Sequence, residues 1–339
     1  MARVLVTGAS GFIGKQLVEA LVQRGDDVSC LVLATSQTGV LTKLGARLIE
    51  GNITAPETLP AAIETAEVVY HLAGLTKAIG QDAYHRVNEY GVRNIVAACT
   101  GRTSPPTLLL VSSLAAAGPT ADDHADRTEA DPPMPVSCYG RSKRAGELAA
   151  AERAADLPIT VVRPPIVLGP GDVSGLALFR SIRLLRSFVV LQSKQRFSVV
   201  YSGDLAAAII AAAERGQRLP PPNISAAEAG AGYYFIAGKE QPTFGQLARM
   251  VGRSINRPYA LAIPLPKFTG WLVGCCGEVV GRLTNRPRYL NFDRARELAA
   301  GHWVCSAEKA RRELGFTADV PLQERISETA AWYREHGWL

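Results

Sequence analysis

The sequence predicts a doubly wound α/β protein, a parallel sheet covered by helices on both faces, followed by a smaller and mostly helical C-terminal lobe. Strand-like and helix-like segments alternate through the first half, the pattern of linked parallel strands and crossover helices. The strand candidates are apolar without polar alternation, as strands covered on both sides are. A glycine-rich turn joins the first strand to the first helix.

Arg3–Thr7 is a short run rich in valine and opens the sheet. Phe12–Arg24 places Phe12, Ile13, Leu17, Leu21 and Val22 at helical spacing. Val28–Leu33, Arg47–Glu50, Val68–His71, Leu108–Ser112 and Ile159–Arg163 read as the following strands. Helices are expected near 56–63, 81–100 and 136–155 between them. Beyond Pro164 the expected order is a helix over 174–191, a strand at Phe197–Tyr201 and an alanine-rich helix at Leu205–Arg215. A proline-rich break at Leu219–Asn223 follows, then a strand at Tyr233–Ala237, a helix at Phe244–Ile255 and an amphipathic segment from about Leu322 to His336. This divides the chain into a nucleotide-binding unit, 1–165 with about 199–220, and a substrate lobe, 166–198 with 221–339.

At 339 residues, 47% apolar and 20% charged, the chain is composed like a globular enzyme large enough to bury its own core. Its net charge of +6 is spread along the sequence. No zinc-ligand spacing or basic aromatic stripe accompanies it, so neither a metal site nor a nucleic-acid partner is expected. The six cysteines show no Cys-x-x-Cys pair and read as reduced thiols. No secretory leader is expected before Arg3, and no apolar run reaches the roughly 18 residues a transmembrane segment needs. A cytoplasmic protein is therefore expected, with peripheral membrane contact left open by apolar stretches at 176–191 and 265–283.

The strongest local signal is Thr7-Gly8-Ala9-Ser10-Gly11-Phe12-Ile13-Gly14. Gly8 permits the tight turn, Gly11 admits a pyrophosphate close to the backbone, and Gly14 lets helix pack on strand. The N–H groups that open the helix then face the phosphates, so Ser10, Phe12 and Ile13 join the expected cofactor contacts. At the end of the second strand, Leu33-Ala34-Thr35-Ser36 contains no carboxylate to hold ribose hydroxyls and to repel a 2′-phosphate. Ser36, with Thr35, Lys15 and Lys43, supplies donors or positive charge, which favours NADP(H) over NAD(H).

Tyr139 and Lys143 stand four apart in a helical segment and so share one face. A phenol titrating near 10 exchanges protons poorly at neutral pH unless a cation stabilises its phenolate. Lys143 is placed to do this and to bond a cofactor ribose. Ser113 ends the fifth strand at the carboxyl edge, where ligands bind in such sheets, and can hold the same substrate oxygen.

Together Thr7–Gly14, His71-Leu72-Ala73-Gly74, Val111-Ser112-Ser113, Tyr139–Lys143 and Arg163–Pro170 resemble, in order, the motifs of the extended short-chain dehydrogenase/reductases, within the NAD-dependent epimerase/dehydratase superfamily. The likeness spans nearly the whole chain. It implies a Rossmann domain with a substrate lobe, a Ser113–Tyr139–Lys143 catalytic set, and a homodimer. It also implies that Leu72, Ala73 and Gly74 line the cofactor, that Asn88 has a structural or proton-relaying role, and that Pro164, Ile166 and Val167 flank the nicotinamide. Asn52 and Ile53 fall where the family has an adenine-side pair.

Sugar epimerases of this family carry an asparagine where this chain has Ile166, and the sugar dehydratases carry acids where Leu114-Ala115-Ala116 stand. The tail from Trp303 to Phe316 is similar to members resembling 3β-hydroxysteroid dehydrogenases and dihydroflavonol reductases. The expected activity is hydride transfer between nicotinamide and a secondary alcohol or ketone of a bulky, fairly apolar small molecule, sterol-, polyketide- or flavonoid-like. The alternatives are a nucleotide-sugar epimerase or dehydratase with tightly bound NAD, and a cofactor-binding regulator without turnover.

Overall fold

A computed structural model describes all residues except 121–124, 191–193, 223–229, 265 and 285–290. Strand and helix alternate as expected. β1 (Arg3–Thr7) leads into α1 (Phe12–Gln23) and β2 (Asp27–Val32) into α2 (Gly39–Lys43). β3 (Arg47–Glu50) runs through a single 3-10 turn into α3 (Leu59–Ile63), and β4 (Val68–His71) into α4 (Gln81–Asn88) and α5 (Tyr90–Thr100). β5 (Thr107–Val111) leads to α6 (Leu114–Ala117) and α7 (Cys138–Ala151), and β6 (Ile159–Arg163) follows. The remainder is β7 (Ile166–Leu168), α8 (Val173–Leu185), β8 (Ser187–Val190), β9 (Val199–Tyr201), α9 (Ser202–Arg215), β10 (Tyr233–Phe235), α10 (Phe244–Ser254), β11 (Leu261–Pro264), α11 (Lys267–Thr284), α12 (Phe292–Ala299), α13 (Glu308–Leu314) and α14 (Leu322–Glu335).

Seven strands form one parallel sheet in the order β10-β6-β5-β4-β1-β2-β3. The order reverses direction between β1 and β4, and ligands bind beside such a switch point, outside the carboxyl ends of the strands. Each face has its own core. Leu17 and Leu21 of α1 pack with Ile209 of α9 on one side, while Ile63 of α3 and Ile95 of α5 pack with Leu108 on the other. A third cluster, with Phe179, Val251, Ile326 and Tyr333, unites α8, α10 and α14 in the C-terminal lobe.

Three local expectations are corrected. The helix expected over 174–191 stops at Leu185, because Arg186 takes a left-handed conformation with φ +53°, and Ser187–Val190 pairs with β11 instead. The helix expected over 81–100 is broken at Glu89. There the side chain of Asn88 is held by Leu75 and Ser142, and α7 passes so close that a Cβ on Gly146 would lie 2.2 Å from the Asn88 carbonyl oxygen. Ile166–Leu168 forms an unforeseen strand, parallel to β9. β10 extends the main sheet beside β6, and Cys305, Ala310 and Leu314 bury themselves in the α1–α9 core. Leu191 and Asn223, the ends of two expected segments, lie outside the described residues.

Candidate active site

The glycine turn is built as its spacing requires. Gly8 has φ +72°, and a Cβ there would lie 2.6 Å from the Ala73 nitrogen, so β1's exit runs directly against β4's. A Cβ on Gly14 would come within 2.2 Å of the Gly8 carbonyl oxygen. Gly11 caps α1 with no side-chain hydrogen bond and no acid in the first turn, which leaves a helix N-terminus suited to an anion. Ser10 is half-buried in that turn; Phe12 and Ile13 open the helix, with Ile13 against the core. The exposed Gly74 faces the same edge: a Cβ there would stand 2.9 Å from Asn88 Oδ1 and 3.6 Å from Lys143 Nζ. Side chain is missing where a dinucleotide would lie, and donors surround the space, so these residues fit the group.

Other cofactor candidates hold the frame. Ser36 Oγ accepts from the Leu33 N–H at 3.1 Å and shapes the β2 exit turn, in which Thr35 is exposed; Lys15 lies half-buried on α1 and Lys43 is exposed on α2. Asn52 Oδ1 accepts from both the N–H and the hydroxyl of Thr54, at 2.9 and 3.0 Å, so its carbonyl closes its own turn. Ile53 is buried against Gly91, where a Cβ would come 2.6 Å from its Cδ1. Leu72 and Ala73 leave β4 side by side; the Ala73 N–H donates to Thr7 Oγ1 at 3.2 Å, which lies 2.7 Å from His71 Nδ1. Burial, with the Lys143 charge nearby, pushes His71 down to about 3, so its ring is neutral.

Ser113, Tyr139 and Lys143 meet at the carboxyl edge of β5. Ser113 caps α6, its Oγ accepting from the Ala115 N–H at 3.1 Å. Burial raises the Tyr139 phenol to about 12; a hydrogen bond with Ser113 opposes that, Glu297 reinforces it and Arg294 opposes it again. Lys143 is buried and donates to the Val111 carbonyl at 2.8 Å. Its burial lowers it to about 8 against the supporting charge of Glu147. Asn88 Nδ2 donates to Ser142 Oγ at 2.9 Å, and Ser142 donates to the Tyr139 carbonyl at 2.7 Å, so Asn88 braces the turn between Tyr139 and Lys143.

Beneath this set lies a fully buried ion pair. Arg163 Nε and Nη2 donate to the two oxygens of Glu147 at 2.8 and 2.7 Å, and the guanidinium lies 4.2 Å from the Tyr233 ring centre. Two parallel donors satisfy both carboxylate oxygens, which offsets the desolvation of the pair.

A cavity of about 750 Å³ opens at Ser113 and Tyr139. Pro165, Ile166 and Val167 border it, as do Ser113 and Tyr139; Phe179, Phe188 and Leu247 also line it. Pro164 is buried and set back, its carbonyl accepting from the Leu114 N–H at 2.9 Å. Several residues at this cavity escaped the sequence reading. The Tyr84 ring centre lies 6.1 Å from that of Tyr139, the planes tilted by 55°, and its place one helical turn before Asn88 was a usable signal. Asp293, Arg294 and Glu297 enter from α12, with no local sequence sign of it.

The NAD dependent epimerase/dehydratase family model matches residues 4–226. Over 99% of its length the chain is 31% identical to a ceramide reductase of Caulobacter vibrioides, covering 96% of that protein. It is 27% identical to a decarboxylating sterol-4-alpha-carboxylate 3-dehydrogenase of Saccharomyces cerevisiae, covering 98% of both chains. A UDP-glucose 4-epimerase of Thermotoga maritima shares the fold, with a TM-score of 0.75 at 21% identity over 98% of this chain and 99% of that one.

Proposed function

The chain belongs to the NAD dependent epimerase/dehydratase family and is an enzyme of the extended short-chain dehydrogenase/reductase type, and from that premise we propose that it interconverts a ketone and a secondary alcohol on a bulky, apolar small molecule. The observation that carries this reading is the cavity: Pro165, Ile166 and Val167 border it with Tyr139, Phe179, Phe188 and Leu247 continue the apolar wall, and its charged members Lys77, Asp172, Asp293, Arg294 and Glu297 are of both signs. The names of the ceramide and sterol relatives support it.

A bound nicotinamide supplies the hydride to the carbonyl carbon, or accepts it from the alcohol carbon. The chain supplies the rest. Ser113 and Tyr139 hold the substrate oxygen, and Tyr139 gives that oxygen a proton during reduction or takes one during oxidation. Lys143 keeps donors in reserve beyond its bond to Val111 and directs them toward the cofactor ribose beside Gly74. The absence of a carboxylate after β2 supports a preference for NADP(H).

The test is turnover of a panel of polycyclic and long-chain ketones with NADPH and NADH, run beside UDP-sugars. Net cofactor consumption on the apolar ketones is expected, with Tyr139→Phe keeping cofactor affinity and losing about 10²- to 10⁴-fold in kcat. Epimerised UDP-sugars without net cofactor consumption, and inert ketones, would overturn the reading.

A further inference from the structure

α11 presents its apolar side to water. Phe268, Leu272, Cys275, Val279 and Leu283 recur at intervals of four, three, four and four residues, which is one helical face, and all five are exposed. Leu283 is 81% exposed. The opposite face is the packed one, for Gly274 and Gly281 are buried and a Cβ on Gly274 would lie 3.1 Å from Ala295 Cβ of α12. An amphipathic helix docked by its glycines, with its large side chains outward, inverts the usual arrangement.

Apolar side chains are exposed on neighbouring segments as well. β11 ends at Pro264, just before this helix, and pairs with β8 so that Val189 stands beside Ile263. Leu261, Ile263 and Val189 are all exposed, as are Leu184 and Leu185 at the end of α8. Exposed apolar side chains on elements that line one cavity mark an interaction surface. Its edge is cationic: Arg183 and Arg186 bracket the exposed leucines and are themselves exposed. The same elements wall the cavity, since Val189 of β8 and Thr269 and Gly270 of α11 line it.

We propose that this face docks on the surface of an anionic lipid bilayer, with α11 lying in the interfacial plane, and so sets the rim of the cavity against the membrane. Apolar side chains insert at the acyl boundary while the arginines engage the headgroups. An amphipathic ketone then passes from the bilayer to Tyr139 without crossing water. The entry route rests on the apolar-substrate reading; docking itself does not.

Vesicle flotation of the whole chain, without substrate, tests docking. Two arginines near the surface predict roughly thirtyfold stronger partitioning into equimolar phosphatidylglycerol–phosphatidylcholine vesicles than into phosphatidylcholine alone at low salt. Brominated acyl chains should quench Trp271 emission, and Trp271→Phe should remove that quenching. The double variant Leu272→Glu, Leu283→Glu should partition roughly tenfold less or weaker still, while turning over a water-soluble ketone like the native enzyme. Native protein that stays in the aqueous fraction, or a double variant that floats as well as the native one, overturns the proposal. A native dimer that ignores vesicles and is split by the same variant shows a second copy on this face and overturns it too. Because no substrate is present, docking can fail while apolar ketones are turned over, and the converse, so the two readings fall separately.

Discussion

Asp293 reaches from the C-terminal lobe to the backbone of Tyr139, accepting its N–H at 3.1 Å through one oxygen and the Cys138 N–H at 2.6 Å through the other. Ser137, the cap of α7, accepts from the Gly140 N–H at 2.9 Å and donates to Glu297 at 2.6 Å. The free donors of the first turn are thus shared between the cap and a helix of the other lobe, with two acids at the positive end of the α7 dipole. The C-terminal lobe therefore also seats the helix that carries the phenol.

Asp293→Ala should lower stability by about 1–2 kcal/mol, the worth of a helix-capping acceptor. It should also reduce kcat through a displaced Tyr139, while cofactor affinity holds, since the glycine turn is untouched. Asp293→Asn retains one acceptor and should restore part of the loss. Denaturant unfolding together with kcat and cofactor Kd checks this; unchanged kcat in a destabilised Asp293→Ala enzyme would leave Asp293 a purely structural cap.

The Glu147–Arg163 pair should behave differently when broken than when replaced. Arg163→Met leaves the buried Glu147 carboxylate with Arg144, at 2.9 Å, as its remaining ion-pair partner and should cost up to about 3–5 kcal/mol, whereas Arg163→Met with Glu147→Leu should recover most of it. The single variant has a second consequence. Glu147 would lose the stronger of the two guanidinium charges that hold its carboxyl low, its support for the Lys143 charge would weaken, and the titration of Lys143 would move lower still. A double-mutant cycle in urea measures the first effect, and a shifted pH profile of the single variant the second.

Lys143 sets the alkaline limb. Its folded value is depressed to about 8 by burial, so it is charged below that pH and neutral above it. Tyr139, raised to about 12, remains a proton donor throughout this range. For ketone reduction, kcat/KM for the cofactor should be level below about pH 8 and fall with rising pH above it. Lys143→Met should abolish the limb as well as most of the rate. A limb displaced to the ordinary lysine range near 10 would mean that a solvated ammonium does this work.

Much of this was legible in order along the chain. The glycine turn, the strands from β1 to β6 and the Tyr139–Lys143 spacing are local patterns, fixed by turn sterics and helical period. Asp293 was not legible, because it lies 154 residues from Tyr139 and meets it only through the docking of two lobes. Ser187–Val190 was read as helix because a short apolar run does not distinguish the two states, and Arg186 alone turns the chain. A strand at Tyr233 was legible, but its place was not, since nothing local shows that it joins β6 across a gap of 69 residues from Arg163. Within the site, Asn52 carried a hydrogen-bonding side chain as expected, but the local Asx turn with Thr54 claims its carbonyl.

The proposed NADP(H) preference rests on a short exposed turn. Leu33, Ala34 and Thr35 all lie in water at the carboxyl end of β2, and the bond from the Leu33 N–H to Ser36 Oγ fixes the turn without a charge. A carboxylate here would hold ribose hydroxyls and repel a 2′-phosphate. Ala34→Asp should therefore reduce kcat/KM for NADPH by about tenfold or more, the worth of roughly 1.4 kcal/mol, while kcat/KM for NADH rises or holds. The kcat itself should change little, because the turn is remote from Tyr139 and the effect is on binding. Steady-state kinetics with both cofactors checks the ratio. A variant whose preference does not move would place the 2′-position away from this turn and leave the missing carboxylate without consequence.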